Sequence, residues 1–324
     1  MPRYQAPWWL PGGHLQTLYP YFFLKPQAPP YRRERWETPD GDFIDLDWVI
    51  QEQNQSSPLV ALFHGLEGGS GSHYATALMH AVMRNQWRGV VVHFRGCSGE
   101  PNRLPRAYHS GDADEIAWIL QRLRRLDAAF PLFAAGVSLG GNALLKWLGR
   151  EQTAAREMID AAAAVSAPLD LMTAGDRLGA GLNRLYGLHF LQTLKPKSLA
   201  KLERFPGLYD GQVVSKARTL REFDNVVTAP LHGYRDTDDY WQRASSKPDL
   251  RGIAVPTLIV HARNDPFLPG PHLPTASDVS QSVTLDFPEH GGHTGFASGP
   301  FPGNLDWLPQ RLLAFFSTCI SAHR

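Results

Sequence analysis

The chain has 324 residues, of which 43% are apolar and 19% carry a formal charge. This composition is typical of a globular protein with a large core and excludes a disordered or fibrous chain. The 32 basic and 31 acidic side chains leave a formal charge of +1, so the chain has no strong overall attraction for nucleic acid and no nucleic-acid partner is expected.

Residues 1–29 are predicted to form an N-terminal extension ahead of the folded core. Proline, glycine and histidine at residues 11–14 interrupt its apolar residues, so the unbroken apolar stretch of a signal peptide is lacking. No stretch of the sequence approaches the roughly 18 uncharged apolar residues that indicate a membrane span. With only two cysteines, Cys97 and Cys319, these features favour a cytoplasmic protein.

The first strands are predicted at residues 33–38, 43–50 and 58–63. The second of these runs alternates apolar and polar residues, as a half-buried antiparallel strand does. The third is continuously apolar, as a strand buried on both faces must be. We therefore expect the chain to pass here from the edge of a sheet to its centre.

From residue 58 onward, short apolar runs alternate with segments of helical length. Helices are predicted near 72–85, 110–125 and 139–150, and strands at 89–94, 131–137 and 160–166. Such alternation requires crossover connections and predicts a mostly parallel sheet of the α/β class.

The alternation stops between about 170 and 250, where helical pieces such as AGLNRLYGLHFLQTL follow one another, punctuated by Pro196, Pro206 and Pro230. It resumes with strands at 257–262 and 283–287 and a terminal helix at 305–320. We therefore predict a single domain whose core covers about 30–169 and 252–324 and whose helical cap insertion covers about 170–251.

A candidate nucleophile follows the strand at 131–137, in the run Gly136-Val137-Ser138-Leu139-Gly140. A nucleophile on a sharp strand-to-helix turn has a strained backbone, so the residues two before and two after it must be small. The turn would point the Ser138 hydroxyl out of the sheet and set the Leu139 amide at a helix N-terminus, where it can donate to an oxyanion. The alternative is a glycine-rich turn whose serine only caps the helix.

A second glycine-rich turn, His64 to Gly71, follows the strand at 58–63. This is where a loop completing the oxyanion hole is expected, with the backbone N–H of Leu66 as the second donor. A phosphate-binding loop is the competing interpretation, but the G-x-G-x-x-G spacing does not open the next helix and no Walker lysine follows.

The acid and the base are predicted in loops that follow the last two strands. Asp265 lies just beyond the strand at 257–262 and can orient an imidazole; Asp170 is its rival and more naturally starts the cap. His293, flanked by glycines, fits the base better than His290. The two histidines have no third metal ligand at a usual spacing, so no metal or cofactor is expected.

The chain order of these groups is serine, then acid, then histidine, with the oxyanion loop ahead of the serine. That order is typical of the α/β-hydrolase fold and differs from both common serine-protease orders. The order strengthens the assignment of the serine, the acid, the histidine and the oxyanion loop, each of which is a weaker indication alone.

The sequence resembles the YheT-like branch of the AB-hydrolase superfamily over nearly its whole length. The resemblance is carried by six motifs: Gly13-His14-Leu15-Gln16-Thr17-Leu18, HGLEGG, His93-Phe94-Arg95-Gly96-Cys97-Ser98-Gly99, GVSLGGN, REFDN and GGHTG. It implies an esterase-type hydrolase whose charge relay falls on Ser138, Asp265 and His293. It also implies a structural turn from Arg95 to Gly99 near the site.

The sequence thus predicts a serine hydrolase that cleaves a carboxylic ester through an acyl-enzyme. Acyl transfer by the same triad, a non-catalytic member of the fold, and a peripheral membrane protein remain alternatives. The membrane anchors would be the aromatic residues Trp8, Trp9, Tyr21, Phe22 and Phe23. The expected partner is a small-molecule ester, with an acyl chain or lipid as a candidate, while the oligomeric state and membrane contact stay open.

Cys97, which lies outside an elbow, is better explained as a buried small residue than as a second nucleophile.

Overall fold

The computed structural model describes residues 3–50, 57–126 and 130–321 and contains an eight-stranded sheet. Its strands are β1 (Tyr31–Glu37), β2 (Phe43–Val49), β3 (Leu59–Phe63), β4 (Arg88–His93), β5 (Leu132–Val137), β6 (Ala161–Val165), β7 (Thr257–Val260) and β8 (Val283–Asp286). Their spatial order is β1-β2-β4-β3-β5-β6-β7-β8. The pairs formed by β2 are antiparallel and all other pairs are parallel, which confirms the predicted α/β class and the passage from edge to centre.

Helices cover both faces of this sheet because its central strands are apolar on both faces. The helices are α1 (Gly13–Phe23), α2 (His73–Arg84), α3 (Ala113–Leu126), α4 (Leu139–Glu151), α5 (Leu171–Leu178), α6 (Arg184–Arg204), α7 (Gly211–Lys216), α8 (Leu220–Val226), α9 (Thr228–Leu231), α10 (Thr237–Ala244) and α11 (Trp307–Ser321). Ala61 of β3 packs in the layer with α3 and α4, while its neighbour Leu62 packs in the layer with α2 and α11. Successive side chains of a strand point to opposite faces, so one short apolar strand contributes to both cores.

The predicted burial of β2 is wrong, because all of its residues except Trp48 are buried. The polar residues of the alternating pattern, Asp45 and Asp47, are buried and lie opposite Arg35 and Arg33 of the neighbouring strand β1. Asp45 accepts two hydrogen bonds from Arg35 at 2.8 and 2.9 Å, and Asp47 accepts two from Arg33, both at 2.8 Å. The arginine fork matches a carboxylate geometrically, so each aspartate can be buried with its charge paired.

Helices α5 to α10 lie between β6 and β7 in the chain and contain two apolar clusters of their own, around Trp241 and around Phe223. The expected interruption at Pro196 is wrong, because α6 continues through this residue. The half of α6 beyond Pro196 is held from outside: Lys201 donates to the carbonyls of Pro105 and Arg106 at 3.0 and 2.9 Å. These external contacts help to hold the helix where the proline removes an internal hydrogen bond. The exact division into core and cap stays a prediction.

The turn at Arg95, expected from the family resemblance, carries a buried group of charges. The Arg95 guanidinium donates to Glu115 at 2.6 Å, to Asp40 at 2.8 Å and to Asp42 at 3.2 Å. Glu115, Asp42 and Arg95 are all buried. The arginine therefore connects α3 to the hairpin between β1 and β2, and its removal would leave buried carboxylates without their cation.

We predict that Arg95→Ala lowers the free energy of unfolding by about 3–5 kcal/mol, the usual cost of removing one partner from a buried charge group. Arg84→Ala is the control, because Arg84 pairs with Asp306 at 3.5 Å on the surface and such pairs contribute about 0–1 kcal/mol. Urea unfolding of both variants measures the difference. Equal losses in the two variants would show that the buried group contributes no more than a surface pair.

Candidate active site

Ser138 lies at the end of β5 and directly before α4, in a backbone conformation that side chains rarely adopt, with φ 52° and ψ −119°. Its amide is fixed by a 2.8 Å hydrogen bond to the carbonyl of Val165 on the neighbouring strand. A Cβ at Gly136 would lie 2.5 Å from the carbonyl oxygen of Gly140, and a Cβ at Gly140 would lie 2.5 Å from that of Phe63. Both positions must therefore be glycine if the strand, turn and helix are to pack this closely.

The imidazole of His293 joins Ser138 to Asp265. The Ser138 hydroxyl donates to Nε2 of His293 across 3.0 Å, and Nδ1 of His293 donates to Oδ2 of Asp265 across 2.8 Å. Asp265 and His293 are buried, whereas Ser138 is partly exposed. The structure thus brings together the three residues that the sequence proposed as nucleophile, base and acid.

Asp265 is held in its ionised form. Burial alone would raise the pKa of its carboxyl, but attraction to His293 and hydrogen bonds from His261 and His293 hold that pKa well below its usual range. Its other oxygen, Oδ1, accepts from the backbone N–H of Phe267 at 2.8 Å. A fixed carboxylate of this kind sets the tautomer of the imidazole and stabilises the imidazolium.

The rival residues lie elsewhere. Asp170 caps the N-terminus of α5, where its carboxylate accepts from the backbone N–H of Thr173 at 3.0 Å and from the Thr173 hydroxyl at 2.9 Å. His290 is exposed, and its Nδ1 lies 3.4 Å from the side-chain nitrogen of Asn264. Among the described residues neither side chain has a contact with Ser138.

The loop after β3 brings the proposed oxyanion donors to the serine. A Cβ at Gly65 would lie 3.1 Å from Cβ of Ser138. In the described part of the chain the backbone N–H groups of Leu66 and Leu139 have no hydrogen-bond acceptor, whereas the flanking amides of Gly65 and Glu67 bind the hydroxyls of Tyr74 and Tyr108 at 2.9 Å each. Two unoccupied amides beside a nucleophile are suited to bind a developing negative charge.

The buried ring of His64 holds the backbone of this loop through hydrogen bonds. Its Nε2 accepts from the backbone N–H of Phe94 at 3.1 Å, so its protonated Nδ1 donates to the carbonyl of Gly65 at 2.7 Å. Burial lowers the pKa of His64 to about 3, so the ring stays neutral and keeps this tautomer. The carbonyl of Gly65 and the N–H of Leu66 belong to one planar peptide unit, so this hydrogen bond also fixes the direction of the Leu66 N–H.

Cys97 also lines the site, but its thiol is poorly suited to act as a nucleophile. Burial, with a further contribution from Glu67, raises the pKa of the thiol to about 12. The thiolate is the reactive form of cysteine, so a thiol that keeps its proton supports the interpretation of Cys97 as a buried small residue. Cys97 and Cys319 are both free thiols.

Sequence reasoning missed two residues that support the triad. His261 donates from Nε2 to the carbonyl of Leu268 at 2.9 Å and lies 3.3 Å from Asp265. The hydroxyl of Ser166 accepts from the backbone N–H of Thr294 at 3.1 Å. Each lies at the carboxyl end of a predicted strand, where ligands and catalytic groups gather, and that position was the signal by which the sequence could have identified it.

A cavity of about 620 Å³ opens above Ser138, between the sheet and helices α5, α6, α8, α9 and α10. Most of its lining is apolar and comes from the helical segment: Leu171, Leu178, Phe190, Leu194, Phe223 and Trp241. Basic side chains at the cavity wall have partners on the core. Lys197 pairs with Glu67 at 2.8 Å, and Arg204 donates to the carbonyl of Asn102 at 2.8 Å.

The aromatic residues near the N-terminus are divided between packing and exposure. Trp8, Phe22 and Phe23 are exposed, while Trp9 packs edge-on against Tyr19 and Phe301. No helix in the described ranges is both long enough and apolar enough to cross a bilayer. Among the same residues no cluster of three or more His, Cys, Asp or Glu side chains is arranged to hold a metal ion.

Comparison with known proteins identifies the family to which the chain belongs. A family model described as "alpha/beta hydrolase fold" matches residues 58–300. YheT of Escherichia coli (strain K12) is 41% identical over 95% of this chain and 91% of its own length. Human Phospholipase ABHD3 is 31% identical over 98% of this chain and 79% of its own length. The resemblance predicted from the sequence motifs is confirmed.

Among solved structures, the chain is similar to Est1E from Butyrivibrio proteoclasticus, determined with bound ferulic acid. The TM-score is 0.57 with 15% sequence identity, over 90% of this chain and 100% of the other. At this identity the likeness concerns the fold alone.

The geometry of Ser138 predicts that a fluorophosphonate probe labels this residue, because a hydroxyl that donates to a buried imidazole is an activated nucleophile. We expect Ser138→Ala to abolish labelling without a change in the circular-dichroism spectrum. Ser215→Ala, a change of an exposed serine in α7, should leave labelling intact. In-gel fluorescence and peptide mass spectrometry check both, and full labelling of Ser138→Ala would rule out the assignment.

Proposed function

This chain belongs to the α/β-hydrolase family, in its YheT-like branch, and from that premise we propose that it is a serine hydrolase that cleaves carboxylic esters. The observation that carries the proposal is the unbroken path of two hydrogen bonds from Asp265 through His293 to Ser138. The free amides of Leu66 and Leu139 beside the serine add support.

In the proposed reaction Ser138 attacks the carbonyl carbon of the ester, and Nε2 of His293 takes the hydroxyl proton. The charge that develops on the carbonyl oxygen is bound by the two free amides, and a donor of this type contributes about 10²–10³ to kcat. The imidazolium then gives its proton to the leaving alcohol. Water, activated by His293, hydrolyses the acyl-enzyme and restores the serine.

The proposed substrate is an ester with an acyl chain. A pocket with a mostly apolar wall and a few polar groups binds apolar ligands and uses the polar groups for orientation. The cavity above Ser138 has this character. The similar human protein is named a phospholipase, which agrees with a lipid-like substrate but does not fix one.

Acyl transfer to an alcohol or thiol is the second candidate, because the same triad would form the same acyl-enzyme. The two activities differ only in what attacks the acyl-enzyme. Product analysis with and without candidate acceptors separates them. Peripheral membrane contact through the exposed aromatic residues also stays a prediction.

We predict that Asp265→Asn reduces kcat for ester hydrolysis by up to about 10⁴, because an amide cannot hold the imidazole in the required tautomer. Asp170→Asn is the matched control, since asparagine caps a helix about as well as aspartate. Steady-state kinetics on one chromogenic ester compare the two variants. A larger loss of kcat in Asp170→Asn would assign the role of the acid to Asp170.

We predict that kcat/KM rises with acyl length by up to about fourfold for each methylene, the equivalent of about 0.8 kcal/mol of buried CH₂, until the cavity is filled. Leu194→Trp adds bulk to the cavity wall and narrows the cavity. In this variant kcat/KM should stop rising at a shorter acyl chain. Leu182→Trp, a change of a side chain that is 70% exposed, should not. An unchanged length profile in Leu194→Trp would mean that the acyl chain does not bind in this cavity.

A further inference from the structure

The segment from Leu10 to Thr17 packs against the two loops that carry Asp265 and His293. It contains most of the N-terminal motif identified in the sequence, which the proposed reaction does not use. One of its hydrogen bonds connects residues 276 positions apart in the chain. This segment thus lies against both loops of the candidate active site.

Gln16 joins the acid loop to the histidine loop. Its buried side-chain oxygen accepts two hydrogen bonds, one from the side-chain nitrogen of Asn264 at 2.9 Å and one from the backbone N–H of Gly291 at 2.8 Å. Its nitrogen donates to the carbonyl of Leu10 at 2.8 Å. Asn264 precedes the catalytic acid, so one buried amide spans both loops.

Thr17 holds the backbone of the catalytic histidine itself. Its hydroxyl oxygen accepts from the backbone N–H of His293 at 2.9 Å and donates to the carbonyl of Gly13 at 2.7 Å. The next amide along, that of Thr294, donates to Ser166. The histidine backbone is therefore anchored through two consecutive amides, and the acceptor of the first, Thr17, lies on α1.

The N-terminal segment contacts both loops through backbone atoms. A Cβ at Gly295 would lie 1.9 Å from the carbonyl oxygen of Gln16, and a Cβ at Gly13 would lie 2.0 Å from that of Asn264. No side chain fits at either position.

The histidine loop has little regular structure of its own. It lies between β8 and α11, and Gly292, Thr294 and Phe296 have φ values of 62°, 60° and 45°. A loop in such conformations depends on contacts from outside to stay in one arrangement. The hydrogen bonds from Gln16 and Thr17 are contacts of that kind.

We propose that Gln16 and Thr17 are positioning residues that hold His293 and Asp265 at the distances needed for proton transfer from Ser138. The inference rests on the proposed function, because it assigns these residues a role in the same reaction. Neither side chain touches the reacting atoms. A displacement of about 1 Å at a catalytic group can lower the rate about 10²-fold. Release of the loop from these anchors is therefore expected to lower kcat without weakening substrate binding.

The experiment compares Thr17→Val with Thr17→Ser and with Thr257→Val in the full chain. Valine keeps the shape of threonine without its hydroxyl, and serine keeps the hydroxyl. Thr257 is a buried threonine at the start of β7 whose hydroxyl donates to the carbonyl of Val255 at 2.8 Å, away from the histidine loop. It therefore controls for the loss of one buried hydrogen bond. Gln16→Met provides a second test if Thr17→Val does not fold.

We expect Thr17→Val to lower kcat, and the rate of fluorophosphonate labelling at Ser138, by up to about 10², with KM unchanged. Thr17→Ser should restore most of both rates. Thr257→Val should lower Tm without an effect on kcat. Gln16→Met should behave as Thr17→Val does.

Three results would overturn the inference. If wild type hydrolyses esters and folded Thr17→Val or Gln16→Met does so at the same rate, the positioning role is wrong and the proposed function stands. If Thr257→Val loses as much kcat as Thr17→Val, the effect is one of general stability. If wild type is neither labelled nor active on any ester, the proposed function fails and the positioning role fails with it.

Discussion

The hydrogen bonds made by the His293 imidazole are the constraint on which the arrangement of the site depends. The ring has to reach Asp265 on one side and Ser138 on the other, across 2.8 and 3.0 Å, although the three residues follow three different strands. A parallel sheet solves this problem because the carboxyl ends of its strands meet at one edge. The ionised carboxylate of Asp265 then holds the ring in the tautomer that can accept a proton from the serine.

The sheet order also sets the distance between the serine and the oxyanion loop. Strand β3 lies directly beside β5, so the loop that follows β3 packs against the turn that follows β5. Glycine at position 140 permits that contact, and the neutral ring of His64 fixes the peptide unit between Gly65 and Leu66 by donating to the carbonyl of Gly65. The polar atoms of the site are thus arranged mainly by backbone geometry, which leaves the cavity wall free to be apolar.

Much of this could be predicted from the sequence, because the signals are local or depend on chain order. The elbow around Ser138 is a five-residue pattern, and the alternation of apolar runs predicts the parallel sheet. Predictions failed where distant residues decide the outcome. Asp45 in β2 looked solvent-exposed, but an arginine fork on β1 allows its burial. Pro196 looked like a helix boundary, but α6 continues through it and is held to the core beyond it.

The N-terminal helix shows the same limit most clearly. Gly12 and Gly13 argue against a helix on propensity alone, yet α1 begins at Gly13, where the backbone lies so close to the carbonyl of Asn264 that no side chain fits. A single-sequence pattern contains no sign that Gln16 and Gly291 are neighbours. The motif was visible as a resemblance, whereas its physical purpose required the three-dimensional contacts.

The covalent intermediate is the most direct test of the account. The protein is mixed with an activated ester, quenched with acid within milliseconds to seconds, and analysed by intact-mass and peptide mass spectrometry. The account predicts one acyl group per chain, attached to the peptide that contains Ser138, and its decay at the rate of turnover. Turnover without any adduct, or an acyl group found on Cys97 in place of Ser138, would contradict it.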